Sequence, residues 1–391
     1  MRTKLGAMRP RRRRSTGVVA LLAALAMILA ACGGEEEADT GEDAAADVEP
    51  GETPEVEAPD DGDDDPAAGM SIEEIEELAR EEGEVVWYTP IPTEQAEEMA
   101  AAFEDRYGIS VSVFRAGGEQ VLTRLESELI TGNPQADVVG YSNKAAGLAH
   151  IEGGHLASWV PPETENVIEG LFDPDGYWIT PRTALVGIAY NTDFVSEEDA
   201  PTSWLDLLDD RFSGQTTTAS PEYAGMAVNM TKALEQVHGW DFFTDWANNG
   251  AMVVQGYGQT QDLVIAGERL VGTAHSGRMS TAIESGQPVD FVYPEEGAVL
   301  VEFTKSVLSG APNPYAARLF LNWTLTEEAQ EILVDGGYHP SRVGMEGPGP
   351  LLPLDEIPLV SADQLWLMDE DNAIELAEIW IESMGDATDV D

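Results

Sequence analysis

From residue 84 onward, short apolar runs alternate with stretches of helical period, and this alternation narrows the folds open to the chain more than any other feature. Residues 84–88 read as a buried strand. Residues 93–107 follow with apolar positions at helical spacing, and Gly108 is their stop. Residues 109–114 form the next strand, 119–131 the next helix and 136–141 a third strand. Such a βαβαβ order implies a parallel sheet with right-handed crossovers. A second series of strands is expected at 215–219, 251–255, 270–274 and 289–293, with helices at 222–237 and 240–249 among them. After Pro294 the chain turns helical, notably at 314–325, 327–334 and 371–383. The fold class is therefore α/β. There is no internal repeat.

The N-terminus has a different character. A basic run (Arg9, Arg11 to Arg14) precedes a 15-residue apolar stretch, 17–31, the charge order of an export signal. That stretch is shorter than the roughly 20 residues of a spanning helix. It ends in Leu29-Ala30-Ala31-Cys32-Gly33, which resembles the lipobox of bacterial lipoproteins and marks Cys32 for lipidation. The alternative is a secretory signal with an incidental cysteine. Cys32 is the only cysteine, so no disulfide forms within one chain. The arginines leave the Sec and Tat routes both open. Residues 35–65 then hold 16 acidic side chains and no basic one, a composition that repels itself into an extended tether; an acidic binding segment is the alternative.

Beyond Met70, 57 acidic residues face 13 basic ones, within a net charge of −53 for the whole chain. This favours solubility in salt and argues against nucleic acid as a partner. About 320 residues suit two lobes rather than one small core.

Open α/β sheets bind ligands beyond the carboxyl edges of their strands. Small or hydroxylated residues stand there: Gly117 and Gly118, Ser142 and Asn143, Ser220 and Tyr223, Tyr257, and His275, Ser276 and Arg278. Free backbone N–H groups at helix starts favour an anion. Gly and Ser are also ordinary turn and cap residues. Signatures of enzymes are missing: the sequence has neither Gly-x-Ser-x-Gly nor His-Glu-x-x-His, and Gly256-Tyr257-Gly258 lacks the third glycine of a dinucleotide loop.

Several segments resemble the extracellular solute-binding proteins of ABC importers, in the ferric-ion, phosphonate and sugar-phosphate group. They are Gly83-Glu84-Val85-Val86-Trp87-Tyr88-Thr89, Phe114-Arg115-Ala116-Gly117-Gly118, Asn133-Pro134-Gln135-Ala136-Asp137-Val138, Asp173-Pro174-Asp175-Gly176-Tyr177-Trp178 and Val186-Gly187-Ile188-Ala189-Tyr190-Asn191. Val292-Tyr293-Pro294-Glu295-Glu296-Gly297, Pro312-Asn313-Pro314-Tyr315-Ala316-Ala317 and Gly337-Tyr338-His339-Pro340 continue the match to residue 385 or so. The resemblance implies a type II periplasmic-binding-protein fold, two lobes on a hinge, with crossings near 180–191 and 296–305. It divides the chain into a signal peptide at 1–31, lipidated Cys32 and tether at 32–69, the first part of lobe 1 at 70–190, lobe 2 at 191–295, and at 296–391 the return crossing with helices packing mainly on lobe 1.

Iron-binding members of that family use a histidine or acid after the first strand and adjacent tyrosines late in the second lobe. Here those places read Thr89-Pro90-Ile91-Pro92-Thr93 and His275-Ser276-Gly277-Arg278, without those ligands. A small anion such as a phosphonate, sugar phosphate or carboxylate is expected instead, with Arg182, His275 and Arg278 as charge partners. Each arginine, Arg115 included, has the alternative of pairing with an abundant acid. The expected partners are this solute, an ABC permease and, through the lipid, the outer face of the cytoplasmic membrane; no cofactor is called for and a monomer is expected. Ferric iron as cargo and a sensor serving a signalling partner are the alternatives.

Overall fold

The computed structural model describes residues 65–385; the leader, Cys32 and the acidic segment to residue 64 lie outside the described residues. The ordered chain starts before Met70. Asp65 pairs at 2.5 Å with Arg318, and Ala67 is buried. Ser71 then caps α1 (Ile72–Glu82) in a capping box with Glu74, a helix that the sequence reading did not include. Gly83, at φ 77°, ends it in the left-handed conformation that favours glycine.

Lobe 1 follows the expected order through β1 (Glu84–Thr89), α2 (Thr93–Tyr107), β2 (Ser110–Arg115), α3 (Gly118–Ile130) and β3 (Val138–Gly140), and then adds α4 (Lys144–Glu152). β1 is central and runs parallel to both β2 and β3. β4 (Ile179–Asn191), buried along its whole length, carries the chain into lobe 2. That lobe comprises β5 (Thr216–Ala219), α5 (Gly225–His238), α6 (Trp240–Asn248), β6 (Met252–Val254), α7 (Tyr257–Ile265), β7 (Val271–His275), α8 (Ser276–Glu284) and β8 (Val289–Val292). β9 (Ala298–Val307) returns, antiparallel to β4 and to β3. The strands form one continuous sheet in the order β2-β1-β3-β9-β4-β7-β5-β6, so the two crossings are its middle members.

The chain ends with α9 (Pro314–Trp323), α10 (Glu327–Asp335), β10 (His339–Pro340), β11 (Leu359–Ser361), α11 (Gln364–Leu367) and α12 (Glu370–Met384). α9 and α10 pack on α1, α2 and β1, as expected. α12 does not: it lies on α5 and α6, with Trp380 and Met384 buried in the lobe 2 core beside Phe243 and Trp246. α12 is thus the exception to the expectation that the C-terminal helices pack mainly on lobe 1, and the reason is the apolar face that it covers.

The lobe 1 core is built on Trp87, Phe103, Phe320 and Trp323, in mutual ring contact at 5.0–5.8 Å. Full burial of each such side chain contributes about 1.5–3 kcal/mol. Asp137 explains two of the quoted motifs. Fully buried, its carboxylate accepts from Val86 N (2.7 Å), Asn313 N (2.6 Å) and Asn313 Nδ2 (3.0 Å), which ties β1 and β3 to the start of α9.

Candidate functional site

Strand register places the site. β3 ends with Gly140 opposite Lys305 of β9, and β7 ends with His275 opposite Val186 of β4, itself opposite Val299. Because β3 and β7 run in opposite senses, their carboxyl ends point at each other along the crossing strands. The span between them is about 20 Å at 3.3 Å per residue. The ends of β1 and β2 join β3 on one side, and those of β5 and β6 join β7 on the other. Residues 182–185 and 300–304 form the floor. The helices that open onto this space at α2, α3, α5 and α7 have no side-chain cap, so their first N–H groups have no such partner, whereas Asn143 caps α4 and His275 caps α8.

The expected residues fare differently. Gly117 and Gly118 start α3, and a side chain at Gly118 would run into Ser142 Oγ, so the glycine lets the two lobe 1 turns lie together. Ser142 and Asn143 are exposed, and Asn143 Oδ1 accepts from Ala145 N at 3.1 Å. Ser220 is buried and accepts from Glu222 N; Tyr223 is 61% exposed. His275 is partly exposed at the end of β7. Burial, and secondly the Arg278 charge, pull its pKa down from 6.5 to about 4, so it is neutral at pH 7.

Three of the expected residues are engaged within the protein. Tyr257 is turned into the lobe 2 core, its hydroxyl 3.4 Å from Met230 Sδ, because the first turn of α7 packs against β5 and β7. Ser276 is fully buried: its Oγ accepts from Leu185 N (3.1 Å) and lies 3.3 Å from His339 Nδ1, which fastens α8 to the crossing strand. Arg278 is already occupied within its own lobe by the Asp262 carboxylate and, at 2.9 Å, by Gly258 O.

Arg182 lies on the floor, 6% exposed, between the rings of Phe303 (4.1 Å) and Tyr338 (4.2 Å). Its Nη1 is buried without a hydrogen-bond partner. Lys305, absent from the expected set, is 4% exposed, with Nζ 4.3 Å from the centre of the Trp87 ring and 4.8 Å from that of Phe320. Both face one recess, lined also by Thr89, Ile91, Tyr141 and Thr304 and by no carboxylate. Burial lowers the pKa of each, and the Arg182 charge lowers that of Lys305 further. The available signal for Lys305 was a lysine inside a strand that is otherwise apolar or hydroxylated apart from Glu302, and Glu302 is taken by Lys144 at 2.7 Å.

Two lobes on paired crossing strands, with strand ends opposed over a shared floor, define a type II periplasmic binding protein. Solved structures agree in fold. Iron-bound HitA from Pseudomonas aeruginosa has a TM-score of 0.64 at 23% identity, covering 76% of this chain and 99% of that one. AfuA from Actinobacillus pleuropneumoniae, with fructose-6-phosphate bound, has 0.62 at 25% identity, covering 77% and 98%. Residues 133–356 match the family of bacterial extracellular solute-binding proteins, and the chain belongs to that family. An uncharacterized protein of Haemophilus influenzae is 25% identical over 279 residues, covering 68% of this chain and 79% of that protein. A probable ABC transporter periplasmic-binding protein of Sinorhizobium fredii is 26% identical, covering 58% and 64%. A putative 2-aminoethylphosphonate-binding periplasmic protein of Salmonella typhimurium is 25% identical, covering 59% and 68%. The named relatives from Sinorhizobium fredii and Salmonella typhimurium are described as periplasmic binding proteins, the former of an ABC transporter, and the family implies a small-molecule ligand and an ABC permease partner. Among the described residues no helix is long and apolar enough to cross a membrane.

Proposed function

We propose that this protein captures a small anionic solute, a phosphonate, sugar phosphate or carboxylate, between its lobes and delivers it to an ABC permease, held at the membrane by a lipid on Cys32. One observation carries the anion reading: in a chain of net charge −53, two buried basic side chains, Arg182 and Lys305, line a recess at the cleft floor that no carboxylate of the described residues lines. The guanidinium of Arg182 gives the cleft floor a local positive potential within an acidic chain. Uncapped helix starts at Gly117, Ala224 and Gly256 add N–H donors aimed at the same space. Gly118, Ser142, Asn143, Ser220, Tyr223 and His275 stand at the rim as the polar contacts. The phosphonate- and sugar-phosphate-binding relatives are consistent with this class. Lobe closure over the solute presents the permease with a changed surface, and the lipid with its acidic tether keeps the receptor close to the permease.

The test is calorimetric titration with 2-aminoethylphosphonate, fructose-6-phosphate, inorganic phosphate, citrate and ferric ion. Saturable binding of at least one phosphorus- or carboxylate-bearing compound is expected, with affinity unchanged in Arg278→Ala because Asp262 already holds that side chain. Binding of ferric ion alone would overturn the anion reading.

A further inference from the structure

Arg182 and Lys305 also bear on an ion smaller than any solute. A guanidinium does not lose its proton in a protein, so Arg182 is charged where it lies. An unpaired buried charge is costly, and the chain avoids one elsewhere: Arg318, 2% exposed, is paired with Asp65, and Lys144 with Glu302. Among the described residues, rich as they are in carboxylates, none of these lines the recess that Arg182 and Lys305 share. The flanking rings of Phe303, Tyr338, Trp87 and Phe320 stabilise the cations only in part.

The recess has a volume of about 20 Å³, slightly above the 10–15 Å³ that one water requires. Its wall is apolar at Trp87, Ile91, Met99 and Leu333. Thr89 adds a hydroxyl whose oxygen accepts from Ile91 N at 3.2 Å, which leaves its proton free to donate. A small space bordered by Arg182 and Lys305 and by no carboxylate of the described residues suits a monatomic anion better than a phosphate or carboxylate group, which has three or more heavy atoms.

We propose that this recess is a halide site in its own right, in which one chloride-sized ion bridges Arg182 of β4 and Lys305 of β9 beneath the solute cleft. In solute-free protein the ion offsets buried positive charge in the recess, and it couples the two crossing strands where the lobes meet. The site does not depend on the identity of the solute, and its test uses solute-free protein.

Thermal melting is compared in sodium chloride, sodium bromide and sodium gluconate at equal ionic strength, and bromide-soaked crystals are measured at the bromine edge. The expected results are a saturable rise of about 3 °C or more in either halide over gluconate, its loss in Lys305→Met, and an anomalous peak between Arg182 and Lys305 in the unaltered protein. Equal melting in all three salts together with no anomalous peak overturns the proposal. A solute oxygen occupying the recess, with bromide excluded from it in solute-free crystals, overturns it too and assigns the recess to the solute site.

Discussion

Gly277→Ala tests how tightly lobe 2 is fastened to the crossing strand. Gly277 is the second residue of α8, and helix propensity alone favours alanine there by up to about 1 kcal/mol. Packing opposes it. A methyl group on Gly277 would run into the carbonyl oxygen of Gly337, whose carbon would lie 3.2 Å away, and Gly337 is itself held at φ 85°. The obstacle is backbone, so no rotamer change relieves it, and overpacking of this kind costs about 1–3 kcal/mol. Displacing the first turn of α8 also strains the bonds of Ser276 Oγ to Leu185 N (3.1 Å) and His339 Nδ1 (3.3 Å), both buried. Each is worth about 1 kcal/mol net and more if a buried donor is left unsatisfied. The opposing contributions exceed the propensity gain, and a net loss of about 2–3 kcal/mol is expected. Urea unfolding of the single variants and of Ser276→Ala/Gly277→Ala provides the check. If the serine bonds carry part of the cost, the double variant loses less than the two single losses combined. A Gly277→Ala protein as stable as its parent would refute the packing argument, and strict additivity would refute the role given to Ser276.

Trp380→Ala, which removes a fully buried indole from the lobe 2 core, is expected to cost about 3–5 kcal/mol in urea unfolding, and a loss below about 1 kcal/mol would show that α12 is not docked as described. His339 is buried, and burial holds its pKa at about 4 instead of 6.5. The unfolded chain therefore takes up this proton as pH falls through 6.5 while the folded chain resists until about 4, so stability is lost across that window. Relative to the parent, His339→Gln should lose about 2 kcal/mol less between pH 7 and 4.5; parallel pH profiles would sink the assignment.

Much of the lobe architecture was legible because its signals are local. Gly108 marked a helix end by its neighbours alone, and the apolar runs of β1 and β7 with the β-branched runs of β2 and β5 marked the parallel series. α1 went unread although Ser71 and Glu74 carry its capping box and Ile72, Ile75, Leu78 and Ala79 recur at helical spacing, because it follows directly on the acidic segment and shares its composition. The site was legible as a set of strand ends and illegible as a set of side chains. The orientation of Tyr257 depends on where α7 begins relative to β5. The partner of Arg278, Asp262, lies on a different helix, 16 residues earlier. Arg182 and Lys305 share a recess only because β9 lies beside β4 with Phe303 opposite Arg182, a register formed between segments more than a hundred residues apart.

The placement of α12 bears on how far the lobes can move. Two adjacent strands in a sheet bend and twist with comparable ease, so a molecule joined by β4 and β9 alone would open along many directions. The segment through α11, which touches α4, and α12, which lies on α5 and α6, forms a third strap away from the sheet. Like the stay on a casement window, such a strap would resist twisting and sliding of the lobes more than it resists a hinge rotation, and would guide opening along one direction.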